Sequence, residues 1–417
     1  MKIFFLTVLN TLLFFAAITN AQNGSVYSRY GIGDIDYGYS PKMMSIGELG
    51  VTQLDPTHII VTNPASWSAL NRTRVEVSLG YKGNIISNNT TDYFTSEAEF
   101  KGVTIGFPVS TEYGIGVVAG LLPFSRVSYK SVKNYLDDDV IPAHKVTFEG
   151  KGGISKIFLG SSVNLPLGFI GGATLDYYFG NIKYYSEIEF DDNSSYVNTT
   201  YENDHRITGF GSTVGLISPN LANEFAISTF SDFRIGFSLN YISGLNTDSL
   251  LTATSSTQLD TLKLENIKDT KIPLRLSGGI SFVLNDVYHI SLDYAHQAWT
   301  SYEFNGVGES VLRDANKYSV AFEYIPKKSM GMSSWEQIAW RGGLSYEQTQ
   351  YKFQGTGIDQ FSVFGGLTYP MGTDDSIDLG LQYSIRGTKD NNLIQEKFVK
   401  IYFGISLGEL WFLRYEK

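Results

Sequence analysis

The chain has 417 residues, a formal net charge of −10, 42 glycines, 27 tyrosines, 27 phenylalanines and no cysteine. The lack of cysteine excludes disulfides, thiolate metal sites and a lipoprotein anchor. No basic stripe interrupts the acidic balance, so nucleic acid is excluded as a partner. Many glycines and aromatic residues beside only 11 prolines are typical of closely paired strands with aromatic belts.

The N-terminus has the pattern of a secretory signal peptide. Lys2 precedes an apolar run from Ile3 to Ala17, and the small residue Ala21 closes a cleavage site. A single-pass anchor is the alternative, but the apolar run is short and no basic cluster follows it. We therefore expect residues 1–21 to be removed and the remainder to be exported.

Most of the chain beyond residue 72 alternates apolar and polar residues with a period of two. In "SIDLGLQYSIRG" one face carries Ile377, Leu379 and Leu381, and the other carries polar or small residues such as Gln382. Fourteen such segments can be counted up to residue 407, and short turns mostly alternate with longer polar loops. The longer loops are expected at 88–97, 191–204 and 246–269.

Alternating strands fit both a soluble β-sandwich and a membrane barrel, since each has one apolar face. Here the polar faces hold glycine, serine and isolated charges, unlike a solvated surface. The apolar faces often begin or end in an aromatic residue, as at a membrane interface. The sequence therefore predicts an all-β fold, a transmembrane antiparallel barrel of 14 strands over residues 72–417.

Residues 22–71 are rich in glycine and lack the alternation. The segment contains "VTNPASWSAL", in which Asn63 suits an N-cap and Pro64 suits the first helical position. Ala65 and the residues after it then form one or two turns. A segment of this kind, joined directly to the first strand, can fold back and close the lumen as a hatch.

An N-terminal segment with Asn63, Pro64 and Ala65, followed by a barrel of this length, resembles the FadL/TodX (OMPP1) family of outer-membrane transporters. The resemblance implies passive diffusion of hydrophobic compounds, either long-chain fatty acid-like or aromatic. It also implies a sideways exit through a kink in the third strand. In "EYGIGVVAGLLPFSRVSYKS", Gly116, Gly120 and Pro123 supply material for such a kink, or for a harmless irregularity at the rim.

Several charged residues lie on the polar faces of the strands and are expected to point into the lumen. They could form acid–base pairs, but such residues more often brace a barrel and its plug. The motif "GISLG" matches G-x-S-x-G but lies within a continuous strand, so no enzyme, metal or cofactor is predicted. The lumen charges are Asp176, Arg234, Arg275, Asp293, Glu323, Arg341, Asp378 and Arg386.

The sequence thus favours a monomeric outer-membrane channel for hydrophobic small molecules, in contact with outer-membrane lipid. The alternative is an accessory barrel without a substrate, the partner of a secretion or surface-assembly machine. A continuous apolar tunnel would favour transport. A lumen filled with charge pairs, together with an apolar ledge on the loops, would favour the partner role.

Overall fold

The computed structural model describes residues 24–137, 141–190, 196–255, 259–327, 331–372 and 374–409. The expected signal peptide and the tail after the last strand lie outside these ranges. No helix among the described residues is long and apolar enough to cross a membrane.

Strands dominate the described chain, and its helices are short. The strands are β1 (Asp34–Ile35), β2 (Thr73–Ser87), β3 (Asp92–Ser110), β4 (Ile115–Tyr135), β5 (His144–Asn164), β6 (Ile170–Phe190), β7 (Thr199–Ile217), β8 (Asp232–Ser255), β9 (Leu259–Thr270), β10 (Arg275–Leu284), β11 (Tyr288–Gln297), β12 (Glu303–Phe304), β13 (Val307–Gly308), β14 (Ala315–Tyr324), β15 (Ala339–Phe353), β16 (Thr356–Pro370), β17 (Ser376–Arg386) and β18 (Gln395–Glu409). The α-helices are Pro41–Ser45 and Leu221–Glu224, and the 3-10 helices are Val26–Arg29, Pro64–Ala69, Pro166–Gly168, Trp299–Ser301 and Asp390–Asn392.

The strands form a closed antiparallel barrel. Each wall strand pairs with the next along the chain, and β18 pairs with β2 to close the ring. β9 and β10 act as one interrupted strand, because β9 pairs with the C-terminal half of β8 and β10 pairs with its N-terminal half. Counted in this way the wall has 14 strands, which confirms the predicted fold.

Parts of the three expected loops are strands. Residues 92–97 belong to β3, residues 199–204 belong to β7, and most of 246–269 forms the hairpin of β8 and β9. The prediction of loops there was wrong because these stretches are rich in Asn, Asp, Ser and Thr, while the pairing with a neighbouring strand that keeps them extended is not visible in the sequence. We call the end of the barrel with this hairpin the upper end, and the end with the short turns the lower end.

The alternation of the sequence matches the two faces of the wall. Leu381 is 52% exposed on the outer face, whereas its neighbour Gln382 is 1% exposed and faces inward. The Gln382 side chain donates to Ser384 and accepts from the Tyr402 hydroxyl, so the interior at this height is packed rather than open. The apolar face therefore points outward, as expected of a barrel in a bilayer.

Candidate functional site

The segment of residues 24–71, called the N-terminal segment below, contacts the inner face of the wall. The side chain of Asn63 is fully buried and accepts from the Ala65 N–H at 3.1 Å, which confirms the expected N-cap. Its amide also donates to the Val51 and Phe237 carbonyls. The buried residue thus ties two parts of the segment to β8.

Glycines of the wall allow the 3-10 helix Pro64–Ala69 to lie close to the strands. A Cβ atom on Gly116 would come within 2.5 Å of the Trp67 carbonyl oxygen, and one on Gly172 within 2.4 Å of the Pro64 carbonyl carbon. The Trp67 ring stacks on Phe158 with centroids 5.9 Å apart. Backbone therefore packs directly on backbone at the lower end of the interior.

A buried ion network joins the N-terminal segment to three wall strands. Lys42 pairs with Asp55 of its own segment and with Glu323 of β14, the second contact at 3.2 Å. Glu323 also accepts from Arg341 of β15 at 2.6 Å. All four side chains are at most 7% exposed, so each charge depends on its partners in place of water.

His58 extends this network to a third strand. Its ring lies 3.1 Å from Asp378 of β17 and 3.1 Å from Asp55. Burial alone would lower the pKa of His58, but these two carboxylates outweigh burial and raise the pKa to about 9. The ring is therefore an imidazolium at neutral pH, and Asp378 also interacts with Arg341 at 3.6 Å.

Other lumen charges contact the segment at other positions along the barrel axis. Arg386 of β17 pairs with Asp34 at 2.8 Å. Asp293 of β11 accepts from the Gly50 and Val51 N–H groups at 3.2 and 3.1 Å. Five of the eight residues expected to face the lumen thus hold the N-terminal segment or its ion network through ion pairs or hydrogen bonds: Asp293, Glu323, Arg341, Asp378 and Arg386.

The remaining three lumen charges differ. Arg275 lies over the ring of Tyr37 in the segment, with 4.8 Å from its guanidinium carbon to the ring centroid. Asp176 pairs with Lys156 within the wall at 3.3 Å, and Arg234 pairs with Asp232 near the lower rim. Among the described residues, no group of three or more His, Asp or Glu side chains could hold a metal ion.

Sequence reasoning missed the partners that the segment itself supplies. Lys317 of β14 pairs with Glu48 of the segment and with Glu347 of β15, and all three are buried. Lys101 of β3 pairs with Asp36 at 2.5 Å. Charges inside a segment expected to enter the lumen were the available signal, but the sequence does not show which strand each one meets.

The wall contains a seam between β3 and β4. These strands pair only at their lower ends, up to Val103 opposite Leu121. Above that point β3 continues along β2 and β4 continues along β5, and β1 of the N-terminal segment pairs with β4. A strand from inside the barrel therefore occupies the edge that β3 leaves free.

The break in β4 lies at Pro123. A register shift separates Pro123 from Ser125, and the carbonyl of the intervening Phe124 accepts from the Asp36 N–H at 3.0 Å. Gly120 lies lower, where β4 is regularly paired on both sides, and Gly116 lies lower still, opposite Pro108 and next to a register shift in β3. A Cβ on Gly120 would come within 2.7 Å of Phe158, so this glycine serves close packing and not the bend.

The seam is lined by charge. Arg126 of β4 lies 3.5 Å from Glu97 and 3.7 Å from Glu99, both on β3, and Lys101 lies 3.4 Å from Glu99. The cavity behind these residues measures about 40 Å³ and is also lined by Lys82. Ion pairs across the seam link the two strands where backbone hydrogen bonds do not.

Solved structures share this fold at low sequence identity. The Ralstonia pickettii toluene transporter TbuX is 16% identical over 89% of this chain and 99% of its own, with a TM-score of 0.59. The P. putida toluene transporter TodX is 13% identical over 90% and 99%, with a TM-score of 0.59. A Pseudomonas aeruginosa FadL homologue is 10% identical over 90% and 98%, with a TM-score of 0.56.

These likenesses confirm a FadL-like barrel, and none of the three structures is described as an enzyme. The narrower FadL/TodX (OMPP1) assignment stays a prediction. No curated protein matches the chain. The family model that matches is BamG, over residues 2–416, and the chain belongs to the BamG family.

Proposed function

We propose that this protein is an outer-membrane barrel sealed by its N-terminal segment, which acts as a plug, and that it serves a secretion or surface-assembly machine as an accessory subunit. The observation that carries the proposal is the ion network of Lys42, Asp55, His58, Glu323 and Asp378. It joins the plug to β14, β15 and β17 through buried charges.

A hydrophobic solute would meet an energetic barrier at this level. Its passage requires the plug to move, and movement would separate Lys42 from Glu323 and His58 from Asp378 in a site with little water. Breaking one buried ion pair costs about 3–5 kcal/mol. An apolar solute offers no hydrogen bonds to compensate for this loss. The interior is therefore suited to rigidity and not to flow.

The upper end offers an apolar ledge for a partner. Leu259, Leu262 and Leu264 of β9 are 68%, 52% and 73% exposed, and Leu250 of β8 lies opposite Leu264. The hairpin rises above β10 and β11, so this surface stands clear of those two strands. Contiguous exposed apolar residues of this kind are typical of protein interaction sites.

The second candidate function is a channel for hydrophobic small molecules, fatty acid-like or aromatic, with lateral exit into the membrane. The β3–β4 seam favours it, because release of β1 from β4 would open the wall. The solved structures named as toluene transporters share this fold. The charged lining of Arg126, Glu97 and Glu99 opposes it, since an apolar solute gains nothing by contact with ion pairs.

A disulfide across the seam separates the two candidates. Ile35 and Ser125 face each other in the β1–β4 register, and the chain has no cysteine of its own. Ile35→Cys with Ser125→Cys should therefore lock the seam shut upon oxidation. The matched control is Ser319→Cys with Ser345→Cys, which cross-links β14 to β15 away from the seam.

We expect oxidation of the seam pair to leave cells that depend on the variant growing normally, with an unchanged content of outer-membrane proteins. We also expect the parent protein, in lipid vesicles, to take up no fluorescent long-chain fatty acid. The accessory role would be overturned in favour of the channel if the parent takes up the fatty acid and oxidation abolishes uptake by the seam-pair variant but not by the control-pair variant.

A further inference from the structure

A groove of about 630 Å³ runs across the outer face of β7, β8, β10, β11 and β14. The alternation of the strands places this face against the bilayer, on the side of the wall that points away from the packed interior. The volume lies within the range of about 300–1,000 Å³ that is usual for specific ligand sites. The apolar lining residues are Val214, Leu216, Phe237, Leu239, Leu276 and Tyr294.

A single glycine creates the groove. Gly278 of β10 faces Phe237 of β8 on one side and Tyr294 of β11 on the other, all on the outer face. Because Gly278 has no side chain, a trench remains between the two rings. A Cβ added there would make ordinary van der Waals contact with the Phe237 ring, at 3.4 Å, so the trench can accept a side chain without a clash.

The upper end of the trench is polar. The Tyr294 hydroxyl and His296 Nδ1 donate to Asn316 Oδ1 at 2.8 and 2.9 Å. The His296 ring therefore lines the groove beside Asn316, where a polar group of a ligand can reach it. His296 lies one residue from the end of β11, near the level where lipid polar groups begin.

We propose that this groove binds one acyl chain of an outer-membrane lipid, with the polar end of the lipid beside His296 and Asn316. The bilayer is the solvent of this face, so a lipid is the molecule continuously available to fill it. A chain lying between Phe237 and Tyr294 gains contacts on two sides, whereas a lipid on the flat wall gains them on one. This site is separate from the seam and from the plug.

Gly278→Leu tests the proposal, since the leucine side chain fills the trench. The matched control is Gly365→Leu, an outward-facing glycine of β16 with no atom within 4 Å of an added Cβ. Delipidated protein is titrated with phosphatidylethanolamine or with lipopolysaccharide, and the bound lipid is counted by native mass spectrometry. The two lipids distinguish the possible sources of the acyl chain.

We expect the parent and Gly365→Leu each to bind one lipid tightly in this titration. Gly278→Leu should bind it about tenfold more weakly, because displaced methylene groups lose their burial. His296→Phe should weaken binding while Gly278 still admits the chain. Tight binding of one lipid by both glycine variants, or equally weakened binding in both, would overturn the proposal.

Discussion

Glu323→Gln should lower the free energy of unfolding by about 3–5 kcal/mol, the usual cost of breaking a buried ion pair. The change leaves Lys42 and Arg341, 3.2 and 2.6 Å away, without their shared carboxylate. Urea unfolding in lipid vesicles, followed by tryptophan fluorescence, measures the loss. Adding Lys42→Met should recover part of it. Glu323→Gln leaves the network with three cations and two carboxylates, and removing Lys42 makes the numbers equal again.

The control for this experiment is an ion pair at the surface. Asp286 and Lys327 are 61% and 62% exposed and lie 2.8 Å apart. Asp286→Asn should cost no more than about 1 kcal/mol. If Glu323→Gln were as mild as Asp286→Asn, the interior would be hydrated and the buried network would not hold the plug in place.

Leu381→Arg should cost about 2–4 kcal/mol if residue 381 faces the hydrocarbon of the bilayer. The same replacement at Leu259, which is 68% exposed on β9 above the wall, should change stability by no more than about 0.5 kcal/mol. The fraction of folded, heat-modifiable barrel in a urea series measures both variants. Equal losses would mean that the outer face of β17 does not contact lipid.

Sequence reasoning succeeded where one physical requirement acts at each position. The bilayer demands an apolar residue at every second position, so segments such as Ile377 to Ile385 reveal both the strand and its outward face. Asn63 and Pro64 likewise report a local capping requirement that needs no knowledge of the rest of the fold.

It failed where the requirement is set by tertiary structure. Residues 246–255 extend β8 above β10, paired with β7 and β9, where no lipid imposes an alternation. Gly116 and Gly120 resemble hinge residues in the sequence, but in the structure they leave space for the close approach of Trp67 and Phe158. Lys42 resembles a surface lysine until the segment folds inward and brings it to Glu323, 281 residues later in the sequence.

The most direct test of the sealed barrel is the ion conductance of single proteins in planar bilayers, with and without residues 24–70. Heat-modifiable migration establishes first that the shortened chain forms a barrel. The intact protein should stay at the closed baseline, because buried ion pairs fix the plug across the lumen, and the shortened chain should open a steady pore. A steady pore in the intact protein, or a closed baseline in a folded barrel lacking residues 24–70, would contradict the proposal that this segment seals the lumen.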